Sequence, residues 1–73
     1  MKNRVKEIRL KHELTQQDLA DLVGVTSRTI ISIEKEKYNP SLMLAYKLSL
    51  CLKIPIDELF DLEGELRNEE NKK

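Results

Sequence analysis

Apolar positions recur three or four residues apart along most of this chain, the period of amphipathic helices and not of half-buried strands. Five short helices fit that pattern. The first covers about Asn3–Lys11, with Asn3 as N-cap and Val5 and Ile8 facing inward. The second starts at Thr15, whose hydroxyl caps it while Asp18 reaches back, a capping box with a shorter acid. Leu19, Ala20 and Val23 form its apolar face, and Gly24 ends it in a left-handed conformation. Thr26 caps a third helix, about Ser27–Glu36, with Ile30 and Ile33 inward. Asn39-Pro40-Ser41 breaks the chain and caps a fourth, about Leu42–Leu52, burying Leu44, Ala45, Leu48 and Leu52. A fifth begins near Pro55 and carries Ile56, Leu59 and Phe60. Residues 1–66 therefore read as one all-α domain, and 67–73 as a polar tail that frays.

Only Val25 stands between Gly24 and Thr26, so the second and third helices meet at a tight, glycine-containing turn. Such a turn sets two helices at a steep angle, the geometry of a helix-turn-helix. Any compact helical bundle is the competing interpretation. The spacing of Ala20, Gly24 and Ile30 favours the specific one: a small residue where the helices approach, a glycine at the turn, an aliphatic anchor beyond it. With Ile30 and Ile33 inward, positions 27, 28, 31, 32 and 35 share the opposite face. Arg28 alone there has a fork of donors matching guanine O6 and N7. Ile31 is the odd member. It either meets a thymine methyl or packs on the stem of Lys35 or the ring of Tyr38, and both readings stand.

Composition narrows the class further. A chain of 73 residues buries only about 60% of its unfolded surface, so association commonly helps to stabilise it. One cysteine and one histidine exclude a disulfide framework and a Cys/His zinc site within one chain. His12 reads as a surface residue at the end of the first helix, and Cys51 as a small residue flanking the core. No stretch is apolar enough to span a membrane and none reads as a signal peptide, so a cytoplasmic location is expected. Net charge is zero, but it is unevenly spread. Residues 1–47 hold nine Lys/Arg against six Asp/Glu, and residues 48–73 hold four against seven. That asymmetry permits a basic face without proving one. No phosphate-binding or dinucleotide glycine motif occurs, and no serine or threonine has a plausible histidine base. Three aromatic residues are too few and too scattered for an RNA-stacking platform. No enzyme activity, cofactor or metal is expected.

The stretch TQQDLADLVGVTSRTIISIEKEKYNPSL, Thr15–Leu42, resembles the Cro/C1-type (Xre) helix-turn-helix regulators. It is similar to their short stand-alone members, such as the cytolysin-operon repressor type, in which KYNPSL follows the recognition helix. The likeness extends through IPIDELF, Ile54–Phe60, and back to Ile8-Arg9, covering about Val5–Phe60. It implies a five-helix lambda-repressor-like domain that binds double-stranded DNA. By resemblance, Gln16 matches a phosphate-binding glutamine at a helix N-terminus, where free N–H groups and the dipole attract an anion. Ser27, Arg28 and Ser32, with Ile31 beside them, occupy base-contacting positions. Thr26, Thr29, Lys35 and Lys37 fall at phosphate contacts. Arg9 and Glu34 match a charge pair tying the first helix to the third. Two family glycines are replaced here by Glu13 and Glu36. If those sites still need positive φ, each replacement costs on the order of 1 kcal/mol. Glu36 also puts an acid near the expected phosphate path of Lys35 and Lys37.

These readings converge on a sequence-specific transcriptional regulator, a repressor binding a palindromic operator as a homodimer. One recognition helix reads too few base pairs for useful specificity. The dimer surface must avoid the DNA face, which leaves Ile54, Pro55, Ile56, Leu59 and Leu62 for the two-fold contact; a tail folded back on its own protomer is the other possibility. The competing function is an antitoxin-like or bridging module, docking a partner on the acidic segment 48–73, where Leu62 and Leu66 lie one helical turn apart.

Overall fold

The computed structural model describes residues 1–71, with side chains described through residue 69. Six helices are found among them: α1 (Val5–Lys11), α2 (Gln16–Val23), α3 (Ser27–Glu34), α4 (Leu42–Leu52), α5 (Ile56–Leu59) and α6 (Leu62–Asn71). Three starts follow from local chemistry alone. Thr15, Thr26 and Ser41 hold extended backbone, and each side-chain oxygen accepts the N–H three residues on, from Asp18, Thr29 and Leu44. At α2 the capping box is complete, with the Asp18 carboxylate accepting the Thr15 N–H at 2.9 Å.

The inward faces meet in one core. Val5, Leu19, Ala20, Ile30, Ile33, Leu48 and Leu59 have no exposed surface, and Val23, Leu44, Ala45, Leu52 and Phe60 are buried around them. Each fully buried aliphatic or aromatic side chain contributes about 1.5–3 kcal/mol. Ser49 is buried too, and its hydroxyl donates to the Tyr46 carbonyl at 2.8 Å, which satisfies it inside its own helix.

Several boundaries differ from the sequence reading. Asn3 is not the N-cap of α1; Arg4 holds that position, without a side-chain bond. Asn3 instead accepts the Val5 N–H at 3.1 Å and donates its amide to the Ile33 carbonyl at 2.9 Å, clamping the start of α1 to α3. It also forms an isolated antiparallel bridge with Phe60, flanked by Arg4 N–H to the Leu59 carbonyl (2.8 Å) and Asp61 N–H to the Lys2 carbonyl (2.9 Å). His12 is exposed, yet its Nε2 lies 2.9 Å from the Leu52 carbonyl oxygen, joining the ends of α1 and α4. The third helix ends at Glu34, not Glu36.

The largest departure is α6, a sixth helix where five were expected. It continues through Asn71, so the boundary expected between residues 66 and 67 falls inside a helix, and of the polar tail only residues 72 and 73 lie outside the described residues. Asp61 starts it by accepting the Gly64 N–H at 3.0 Å. A Cβ at position 64 would collide with that carboxyl group, so glycine lets the cap form.

Candidate nucleic-acid interface

The turn between α2 and α3 is built as its residues require. Gly24 sits at φ 77°, a conformation closed to most side chains, and the Val25 N–H bonds the Ala20 carbonyl at 3.0 Å. Ala20, the small residue expected where the two helices approach, is fully buried. The Thr26 hydroxyl caps α3 and lies 3.2 Å from the Thr29 hydroxyl. Ile30 and Ile33 then hold α3 against the core and leave its opposite face outward.

On that face a shallow hollow is lined by Thr26, Arg28, Thr29, Ser32, Lys37 and Tyr38. Five of these are residues singled out in the sequence. Arg28 and Lys37 are exposed, while Thr29 and Ser32 are half-buried at the floor. The hollow holds two cations and no acid. Ser27 and Ile31 are half-buried on α3 and Lys35 is exposed just past its end, but none of the three lines the hollow. Glu36 explains why the acid is absent. At φ 63° it turns to a different hollow, beside Met1, Lys2, Asp61, Gly64, Glu65 and Arg67. Glu36 therefore does not line the hollow that holds Lys37.

Beneath the face lies a closed polar network. Arg9 Nε donates to Glu34 Oε2 at 2.7 Å, Nη2 to Oε1 at 3.2 Å, and Nη1 to the Leu14 carbonyl at 2.8 Å. The two side chains are 7% and 4% exposed. Gln16 adds a third member, its amide donating to Glu34 Oε1 at 3.1 Å. No buried side-chain nitrogen or oxygen among the described residues lacks a partner. The Gln16 link was not legible in the sequence, because the residues are eighteen apart and meet only once α2 crosses α3. It changes what Gln16 offers an anion. With the amide turned to Glu34, the α2 end presents backbone N–H groups, of which Gln16 and Gln17 are left without helical partners by helix geometry.

Two surface carboxylates near these helix starts are held in their charged form. Hydrogen bonding from the Thr15 backbone keeps Asp18 below its ordinary range. The Arg4 guanidinium, bonded to Glu7 at 2.9 and 3.2 Å, draws Glu7 down to about 2, with help from Lys11.

The family model for the helix-turn-helix matches residues 5–59. The chain belongs to the Cro/C1-type (Xre) helix-turn-helix family. Its relatives in this family include an uncharacterized HTH-type transcriptional regulator of Methanocaldococcus jannaschii, 48% identical over 89% of this chain and 98% of its own length. The cryptic phage CTXphi transcriptional repressor RstR of Vibrio cholerae is 30% identical over 78% of this chain and 51% of its own. Among solved structures, the restriction-modification controller protein C.AhdI from Aeromonas hydrophila superposes with a TM-score of 0.72 at 35% identity, covering 78% of this chain and 86% of that one. The protein is a transcriptional regulator with a DNA-binding helix-turn-helix fold. Among the described residues no group of His, Cys, Asp and Glu is placed to hold a metal ion, and no helix is long and apolar enough to cross a membrane.

The expected dimer residues divide. Leu59 has no exposed surface; it belongs to the core and is withdrawn from the contact list. Ile54 and Ile56 are half-buried, Pro55 is exposed, and together they line an apolar hollow with Tyr46, Ser49, Leu50 and Lys53. Leu62 is exposed on α6, away from that hollow. The outer side of α4 exposes Met43 together with Tyr46 and Leu50 of that hollow. Their spacing, at 43, 46 and 50, marks one helical stripe.

Proposed function

We propose that the protein is a homodimeric repressor that reads a palindromic operator, with α3 in the major groove of each half-site. The observation that carries this reading is the hollow on α3, where exposed Arg28 and half-buried Ser32 lie with the Thr26 cap and Lys37, with no acid among the lining residues. Ser27, Arg28, Ile31 and Ser32 are assigned to base edges. Thr26, Thr29, Lys35, Lys37 and the backbone at Gln16 are assigned to phosphates, which set position without reading sequence. Two such faces on a two-fold axis would address half-sites whose centres lie roughly 34 Å apart. The apolar hollow at Leu50, Ile54, Pro55 and Ile56 is the proposed contact between protomers, the same patch on both copies as a two-fold interface requires. The name of RstR, a repressor, supports the regulatory sense.

A partner-docking role has its own observation: α6 carries Glu63, Glu65 and Glu69 and exposes Leu62 and Leu66. Selection of bound duplexes from a random pool, using the pure protein alone, tests both. Enrichment of a palindrome supports the repressor reading. Absence of duplex binding without a partner present overturns it.

A further inference from the structure

Tyr38 follows the recognition helix and has no part in the core; 46% of its surface is exposed. It lines the same hollow as Arg28, Ser32 and Lys37. Its hydroxyl makes no hydrogen bond among the described residues, so the phenol is free to donate. The backbone around it is held. The Lys37 N–H bonds the Ser32 carbonyl at 2.9 Å and the Glu36 N–H bonds the Ile33 carbonyl at 3.0 Å, folding the loop back onto the last turn of α3. The left-handed Glu36 turns its acid to the other hollow and leaves Lys37 and Tyr38 as the loop's side chains here.

We propose that Tyr38 is a DNA-positioning residue whose phenol hydroxyl donates to a backbone phosphate beside the bases faced by Arg28 and Ser32. The inference rests on the reading of α3 as the helix that enters the groove. A duplex borders its groove with phosphate oxygens, which only accept hydrogen bonds, and a tyrosine hydroxyl supplies an uncharged donor. Lys37 meets the same ridge as a charge. The ring packs on the neighbouring sugar and sets how far α3 advances, while Arg28 does the reading.

The test compares Tyr38→Phe, Tyr38→Ala and Lys37→Ala with the parent, by fluorescence anisotropy on a selected palindromic duplex and a random duplex at several salt concentrations. Tyr38→Phe is expected to weaken both duplexes about threefold to tenfold, the usual worth of one neutral hydrogen bond. Sequence preference and salt dependence stay unchanged, because no counterion is released by a neutral donor. Lys37→Ala instead lowers the slope of log affinity against log salt by about one. Tyr38→Ala weakens binding beyond Tyr38→Phe, and thermal melts of both match the parent because the side chain is exposed. Tyr38→Phe binding both duplexes as the parent does would overturn the proposal. So would loss of preference at a base pair. A parent protein that binds no duplex overturns the repressor reading and this inference together, whereas a binding parent matched by Tyr38→Phe overturns this inference alone.

Discussion

Glu13, Glu36 and Lys53 stand at φ 57°, 63° and 56°, in a region that side chains normally leave to glycine. Each lies just past a helix, and the next N–H bonds back five residues: Leu14 to Arg9, Lys37 to Ser32, Ile54 to Ser49. The same bond, from Val25 to Ala20, follows Gly24. Helix termination is thus identical at four sites, and three of them carry strain of about 1 kcal/mol. Glu36→Gly is expected to raise stability by about 0.5–1 kcal/mol, a gain of a few degrees in the melting midpoint for a domain this small. Gly24→Ala should lose about 1–2 kcal/mol; no atom lies within 4 Å of the added Cβ, so the loss is torsional alone. Calorimetric melts of both variants check the pair of signs. On the outward face of α3, Arg28→Ala should cost about 1–3 kcal/mol on the selected operator and relax preference at one base pair. Equal losses on operator and random duplex would reassign Arg28 to the backbone.

Between elements, the Arg9–Glu34 pair joins α1 to the end of α3 and, through Gln16, to the start of α2. Burial decides its weight. An exposed pair contributes about 1 kcal/mol or less, but breaking a buried one costs about 3–5 kcal/mol because a charge is left without its partner. Glu34→Gln should therefore remove a large share of a total stability of roughly 4–11 kcal/mol for this length, read as a lowered urea midpoint. Replacing both partners with apolar residues should recover most of the loss, since the desolvation penalty disappears with the charges. The helix starts respond to acid differently. Glu7 and Asp18 are depressed in the folded state, so their contribution is fully present above the ordinary carboxylate range and is lost as pH falls. For Glu7 the window runs from about pH 4.5 down to about 2. The melting midpoint should hold from neutrality to about pH 5 and fall below it. Glu7→Gln should flatten part of that fall, and added salt should shrink the difference, because the pair with Arg4 is exposed.

At the scale of the whole molecule, the outer stripe of α4 and the hollow it borders leave apolar surface that no described residue covers. Leu50 is 59% exposed, so Leu50→Glu tests association without touching the core, which Leu59→Glu would not. The parent is expected to sediment as a dimer at micromolar concentration, and Leu50→Glu as a species near 8.5 kDa with weakened operator binding. A parent that is monomeric, yet occupies a palindrome in one step, would remove the dimer.

Helix order, three of the caps, the inward face of every helix from α1 to α4, and the outward face of α3 were all legible in the sequence. Each depends on residues within a turn or two, where spacing and hydrogen-bonding chemistry dictate the outcome. The family resemblance supplied the Arg9–Glu34 pairing, but only the packing of α1 on α3 decided that it is buried. Asn3 was misread as a cap because its partners, Ile33 and Phe60, are thirty or more residues away. Leu59 was taken for surface because a four-residue helix has no complete apolar period to betray which side faces in. The helix at Leu62–Asn71 escaped notice since its apolar positions are sparse and its start depends on Asp61 reaching over a glycine. The direction of Glu36 follows from a backbone angle that the family's glycine hides. Local chemistry therefore determined the elements, and tertiary packing decided which polar groups were buried, which faces stayed open, and where the acids were turned.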